Sequence, residues 1–588
     1  MFDLLIRRGT VVDGSGSPAR RADVGITDGR IAAVGEDLGT ARQTLDAEGA
    51  LVTPGFVDIH SHYDGQASWD EELMPSSLHG ATTVAMGSCG VGFAPCRAAD
   101  RERLVALMEG VEDIPGSALA EGLRWGWESF PQYMEVLDRQ PHAIDLACHV
   151  PHDAVRLFAM GERALDGAVA TDDELAMMAA LVRDAVAAGA VGFSTGRTDN
   201  HRSADGRTTP AADASARELE VIARGLAGLP HGVVQAVSDF DMFVSPDPGA
   251  RFDPEFDLLE NMARLSGRPL SISLLQRVGA TDQWRRILER IERANAGGLD
   301  VRAQVATRGI GVILGLDATF HPFIGFPSYK AVAHLPLAER VAHLSRPEVR
   351  ARILSEKTEP VAGDGSAVPP LVDKLLAAFE LVAMSLFRLG ERPDYEPARA
   401  SSLFGEAMRT GKKPLEVTYD ALLEDGGRQL LYFPIYNYAS GSLGEVGEML
   451  RHPHAMLGLG DGGAHVGTIC DVSFSTFFLT HWTRDRGVFT VEQAIHKLTG
   501  EPAAWLGLGD RGVLRPGLRA DVNVIDLANL TLGRPALVRD LPAGGKRFLQ
   551  GATGYRATVV RGEPVIAEGT FTGARPGKIA RPCASPAR

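Results

Sequence analysis

Apolar and polar positions alternate in blocks along the middle of the chain. Short apolar runs at 56–59, 82–86, 145–150, 190–194, 233–237, 270–274, 301–305 and 456–460 each reach a polar or glycine position within two residues. Between them lie stretches with apolar residues three and four apart, as at 172–188, which opens on Asp172-Asp173-Glu174. Strands that recur with helices between them predict an α/β protein whose core is a parallel (β/α)8 TIM barrel. The rhythm breaks after the seventh run. Helical patterns at 372–387 and 414–424 then predict a mostly helical insertion, about 320–440, over the barrel mouth. Both chain ends read as strands and tight turns: Asp28-Gly29 near the start, and 520–525 and 557–560 with the turn Arg561-Gly562-Glu563 near the finish. Neither end has apolar surface enough for its own core. The economical reading packs 1–52 and 512–572 together as a small β-sandwich beside a barrel domain at 53–511, with 573–588 as a loose tail.

Composition removes several classes of function. Of 588 residues, 45% are hydrophobic and 23% charged, which argues for a folded protein rather than a disordered one. The net charge of −15, without a Lys/Arg-rich run, disfavours nucleic acid and anionic membranes as partners. Five scattered cysteines argue against a disulfide framework and for a reducing compartment. No signal-peptide pattern and no membrane-spanning run is visible, so a cytoplasmic protein is expected.

The strongest chemical signal is Thr53-Pro54-Gly55-Phe56-Val57-Asp58-Ile59-His60-Ser61-His62. An apolar strand ends in His-x-His, and alternate strand residues point the same way. His60 and His62 should therefore project together from the C-terminal mouth of the first barrel strand, where a divalent ion can use both. The second signal is the run from Met456 to His465, in which Asp461 stands among glycines at the end of the last strand. A capped tight turn would look the same, but beside His60 and His62 a metal ligand and general base is the better reading. The third is Gly87-Ser88-Cys89-Gly90, directly after the second strand. A cysteine in such a turn points to the mouth and can join the ion as thiolate, although buried cysteine is usually inert core. His149, His152, His201 and His321 also fall near strand ends, where a hydrogen-bonded loop histidine is the ordinary case. Tyr432, Tyr436 and Tyr438 either face a substrate or pack the insertion.

The His60-Ser61-His62 motif, the Gly-Ser-Cys-Gly turn, Val191-Gly192-Phe193-Ser194-Thr195-Gly196 and the block Gly458-Leu459-Gly460-Asp461-Gly462 resemble the D-aminoacylase branch (N-acyl-D-amino-acid deacylases) of the amidohydrolase superfamily. Leu498-Thr499-Gly500-Glu501-Pro502-Ala503 and the stretch 510–521 are similar to that superfamily's exit from barrel to sandwich. The likeness covers most of the chain and is weakest across the insertion. It implies a metal-dependent hydrolase. It also places His152 at the family's Gly-His-x-x-x-Arg position and gives the family's Cys at the second strand a role in a tight zinc site. The departures are equally specific. The family carries metal histidines at the ends of its fifth and sixth strands, but residues 233–239 and 270–276 contain none. Its His-Pro-Arg after the eighth-strand Asp is here His465-Val466-Gly467, which puts recognition of a free amino-acid carboxylate in doubt.

The reading is a zinc-dependent amidohydrolase with one ion, hydrolysing the C–N bond of a small-molecule amide, an N-acyl amino acid or a relative with a hydrophobic group. Asp461 would serve as general base and then acid, and His152 would stabilise the oxyanion. Three alternatives stay open: a cyclic amide or ester hydrolase, a non-hydrolytic reaction at a mononuclear metal, and a barrel without chemistry that binds partners. Assembly as a homo-oligomer is compatible with all of them.

Overall fold

Each of the eight apolar runs contributes to a barrel strand in the computed structural model, which describes residues 1–198, 200–240, 250–362, 368 and 370–584. The strands are β1 (Phe56–Asp58), β2 (Ala81–Met86), β3 (Asp145–Pro151), β4 (Gly192–Arg197), β5 (Val233–Ser238), β6 (Leu270–Leu274), β7 (Val301–Val305) and β8 (Ala455–Leu457). They hydrogen-bond in chain order, every neighbouring pair parallel. Alternation decides what each residue meets. Leu146, Cys148 and Val150 of β3 lie in the layer under the helices, while Ala147 shares the barrel interior with Val57, Val233 and Met456. The path from β1 to β8 closes just beyond the regular strands. Ser61 bridges Gly462 in parallel register. The His62 N–H donates to the Gly462 carbonyl at 2.7 Å, and the Asp461 N–H to the His60 carbonyl at 3.2 Å. The peptides of the two histidine and aspartate motifs are therefore the barrel's seam.

Two helices show how the surrounding layer is specified. Helix α1 (Arg101–Glu112) buries Leu104, Leu107, Met108 and Val111, and also the carboxylate of Glu112. Helix α2 (Asp172–Ala187) starts in a capping box: Thr171 accepts from the Glu174 N–H, and Glu174 accepts from the Thr171 N–H at 2.7 Å. Its buried stripe is Leu175, Met178, Val182, Ala185 and Val186.

The insertion starts earlier than residue 320 and is not wholly helical. Ile310–Leu314 is already a strand, paired antiparallel with Leu431–Tyr436, which in turn pairs with Phe387–Arg388. Helices such as Leu337–Leu344, Leu403–Thr410 and Pro414–Gly427 surround this sheet and share with it a core that includes Phe323, Phe326, Leu403 and Leu422. A short apolar run such as Val312-Ile313-Leu314 carries no period that separates strand from helix, which is why the pattern hid it. Tyr432 and Tyr438 are buried and donate their hydroxyls to the Gly309 and Pro397 carbonyls.

The expected loose tail is docked as far as residue 584. The N–H groups of Gly577, Ala580 and Cys583 donate to the carbonyls of His142, Leu146 and Gly507, at 2.8, 2.8 and 2.9 Å. Ala580 is 2% exposed and joins the barrel-interior cluster. Backbone pairing holds this strap, so its Pro/Arg-rich composition gave no sign of it. The two chain ends form one nine-stranded mixed sheet, joined where Leu51–Pro54 pairs antiparallel with Val522–Ile525. Leu4, Ile6, Val24, Val522 and Val559 belong to its common core. Barrel, sheet and strap meet at Asp145, fully buried, whose carboxylate contacts Arg511 Nη1 at 2.7 Å, Arg519 Nη1 at 2.6 Å and the Lys578 N–H at 2.8 Å. Among the described residues no helix is long and apolar enough to cross a membrane.

Candidate metal centre

His60, His62 and Cys89 converge at the barrel mouth, offering ligand atoms within 4.8 Å of one another, all buried. His60 Nε2 lies 3.2 Å from Cys89 Sγ and 3.3 Å from Asp461 Oδ1, and His62 Nε2 lies 3.7 Å from the same Asp461 oxygen. A tetrahedral ion with bonds of about 2.0–2.3 Å has ligand–ligand edges of about 3.3–3.8 Å, so these spacings suit one small ion, and a two-imidazole, one-thiolate, one-carboxylate set is zinc chemistry. Asp461 is the solvent-facing member, its side chain 17% exposed against 0% for His60 and 3% for His62.

Local backbone geometry presents these groups. Cys89 and Asp461 both adopt left-handed conformations, φ 55° and 49°, which a non-glycine residue holds only at a cost of about 1–3 kcal/mol. Gly463 beside the aspartate has φ 89°, and a Cβ there would sit 2.7 Å from the His62 carbonyl oxygen, so the seam closes only with glycine. The Asp58 carboxylate accepts from the His60 N–H at 3.0 Å, and Asp64 accepts from the Gly87 N–H at 2.9 Å, fixing the two turns that carry ligands.

The rings are also held in the correct sense. His60 Nδ1 meets Gln304 Oε1 at 2.6 Å; a carbonyl oxygen can only accept, so Nδ1 carries the proton and Nε2 is left as donor atom to an ion. His62 Nδ1 lies 3.0 Å from Glu112 Oε1, without the alignment of a full hydrogen bond. Gln235 Oε1 accepts the Cys89 N–H at 2.8 Å. Replacing Gln304 with leucine is expected to weaken divalent-metal binding about 10–100-fold, read by chelator competition; unchanged affinity would show that His60 needs no such partner.

Electrostatics agree with the geometry. Burial opposes charge on His60, yet the Cys89 and Asp461 anions outweigh it and bring the ring up to about 9. For His62 burial is likewise outweighed, chiefly by Glu112, and the ring is raised well above its usual value. Burial pushes the Cys89 thiol up, but the His60 charge prevails and the net direction is down. Asp461, also opposed by burial, is held at about 2 by His60 and His62. Without a metal, ring protons supply the positive charge this anionic centre requires. A divalent cation would supply it in their place, and the residues present fit one.

The structure does not bring His152 to the centre, which corrects its assignment as oxyanion stabiliser. Nδ1 lies 3.0 Å from Thr195 Oγ1 and Nε2 3.0 Å from Glu218 Oε1, with Glu218 also paired to Arg156, so neither ring nitrogen is available. His321 stacks edge-on against Tyr329 in the insertion. His201 approaches His465, ring centroids 6.2 Å apart, and its ring senses Glu112 and His62. His149 lies on β3, buried, and burial together with the His60 charge lowers it to about 3.

Sequence reasoning missed Glu112, Gln304 and Gln235. One signal was available for the first: Glu112 ends a helix, where the macrodipole disfavours an anion, and breaches of a local rule cluster at functional sites. Nothing marked the two glutamines beyond a polar letter on an inward strand position.

The amidohydrolase family model matches residues 43–566, and the chain belongs to that family. It is 29% identical to D-aminoacylase of Alcaligenes xylosoxydans xylosoxydans over 98% of this chain and 97% of the relative. It is 27% identical to N-acyl-D-aspartate deacylase of the same organism over 99% and 95%. Among solved structures it is similar to N-acyl-D-glutamate deacylase from Bordetella bronchiseptica, complexed with zinc and a phosphonate mimic of the tetrahedral intermediate, at 25% identity and a TM-score of 0.63 over 99% of both chains.

Proposed function

We propose that this chain is a metal-dependent amidohydrolase that cleaves the C–N amide bond of an N-acyl amino acid or a related small amide at a single zinc ion. The observation that carries the reading is the convergence of His60, His62 and Cys89 at the mouth of a barrel, with Asp461 3.3 and 3.7 Å from the two imidazoles. The similarity to D-aminoacylase and N-acyl-D-aspartate deacylase along nearly the whole chain supports the bond type. His60, His62 and Cys89 hold the ion. When bound it polarises the scissile carbonyl and acidifies water at neutral pH.

Asp461 does the proton work. Its carboxylate faces solvent on one side and the ligand histidines on the other, so it takes a proton from the attacking water at Oδ as the C–O bond forms. It returns that proton to the leaving nitrogen as the C–N bond breaks, giving a carboxylic acid and an amine. The Gln304 and Glu112 contacts keep both imidazoles oriented throughout. All five cysteines are free, which fits a cytoplasmic site of action.

The test is reconstitution. Purified protein stripped with chelator should fall below about 1% of its amide hydrolysis and regain it with one equivalent of zinc. Full activity after stripping, or in His60→Ala, would end this reading.

A further inference from the structure

Beside the metal-binding groups, the inner face of the barrel carries three buried polar side chains with unpartnered atoms. His149 on β3 is 1% exposed with neither ring nitrogen hydrogen-bonded, Gln235 on β5 is fully buried with Nε2 unpartnered, and Ser273 on β6 is 1% exposed with a bare hydroxyl. Their strand neighbours Cys148, Val234 and Ile272 lie in the helix-facing core, so these three point inward. Each adjoins the centre. Gln235 accepts from the Cys89 N–H, and Ser273 is the register partner of Gln304, which holds His60. His149 packs against the turn that carries Cys89, so closely that a Cβ on Gly87 would clash with its carbonyl oxygen. Buried polar atoms in native proteins are satisfied by protein, water or ligand, and a cluster of unsatisfied ones marks where something else binds.

The donors and acceptors define what that is. The Cys89 N–H fixes the Gln235 oxygen, so its amide presents N–H donors inward. A neutral imidazole presents one donor and one acceptor, and the serine hydroxyl either. A carboxylate only accepts, and would leave the bare imidazole nitrogen without a donor. It would also lack a counter-charge, because the arginines that end or follow β4, β6 and β7 are committed. Arg197 pairs with Glu255, Arg308 meets Asp471 at 2.9 Å, and Arg277 is buried near Asp239 while donating to the Ser238 carbonyl at 2.8 Å. Arg202, in the loop after β4, donates to the Gly206 carbonyl at 3.2 Å and keeps a buried Nε without a partner, so it is the counter-charge the test must include.

We propose that His149, Gln235 and Ser273 bind an uncharged N–H/C=O pair, so that the substrate presents a carboxamide or ring amide beside the scissile bond rather than a free α-carboxylate. This rests on the amide-hydrolysis reading above and narrows its substrate class. The zinc-loaded full chain should be assayed with N-acetylphenylalanine and N-acetylphenylalaninamide of both hands. The carboxamide is expected to lead by about 100-fold in kcat/KM, because an acid leaves buried groups unpaired. Ser273→Ala, a small change, should shrink that ratio with zinc content unchanged, and His149→Asn should do the same. Preference for the free acid would overturn the proposal, and its loss in Arg202→Ala would place the carboxylate at Arg202. Binding of phenylalaninamide and phenylalanine by calorimetry keeps the question separate from catalysis. If neither acetylated compound is hydrolysed the amide-hydrolysis reading falls, while tighter binding of the carboxamide still supports this inference. Equal binding, or none, would mean that the three side chains hold only water.

Discussion

Asp461→Asn is expected to lower kcat by about 10³-fold, within the 10²–10⁴ range for loss of a general base, with zinc content preserved. The amide has the shape of the carboxylate but cannot accept a proton from water. His60, His62 and Cys89 remain to hold the ion, so metal loss and base loss can be told apart by measuring zinc in the variant. As the proposed base, Asp461 would act on the reacting atoms and not on the ground-state complex, so kcat and kcat/KM should fall together. A variant that keeps its zinc and loses less than about tenfold in kcat would move the base elsewhere.

Asp145→Ala is expected to destabilise the fold by about 3–5 kcal/mol, the typical result of removing one partner from a buried ion pair. Both Arg511 and Arg519 would be left without the anion that neutralises them, and the Lys578 N–H would lose its acceptor. Denaturant unfolding of the zinc-loaded protein measures this. The sign with pH follows from the same contacts. Burial opposes ionisation of Asp145, but the two guanidinium groups hold its carboxyl below the usual value. Its contribution is therefore intact above the ordinary carboxylate pKa and is lost only as pH falls through the lowered one. A wild-type-like midpoint at neutral pH would show that sheet, strap and barrel do not depend on this residue.

The parts of this molecule that were legible in the sequence are those where a period or a motif repeats a local rule. The eight strands were placed within a few residues because each is an apolar run that soon meets a polar or glycine position, and His60, His62, Cys89 and Asp461 all follow such runs. What was hidden depends on long-range pairing. Ala580 looks like tail composition until its N–H is seen on Leu146. Gln304 and Glu112 become meaningful only once the fold brings them to ring nitrogens, one from a distant strand and the other from the end of a helix. His152 misled for the opposite reason: its position after a strand was correct, but Glu218, far along the chain, holds its ring.

The closure of the barrel through Ser61, His62, Asp461 and Gly462 would make the proposed ion a rivet as well as a cofactor. The same two segments that clasp the cation zip the first staves to the last, so occupancy and ring integrity are thermodynamically linked, and ligand at a hundred times its dissociation constant adds about 2.7 kcal/mol to the closed form. Amide protons along that join should exchange with deuterium faster in the stripped protein than in the loaded one, while those under the helices of β3 to β5 keep their protection.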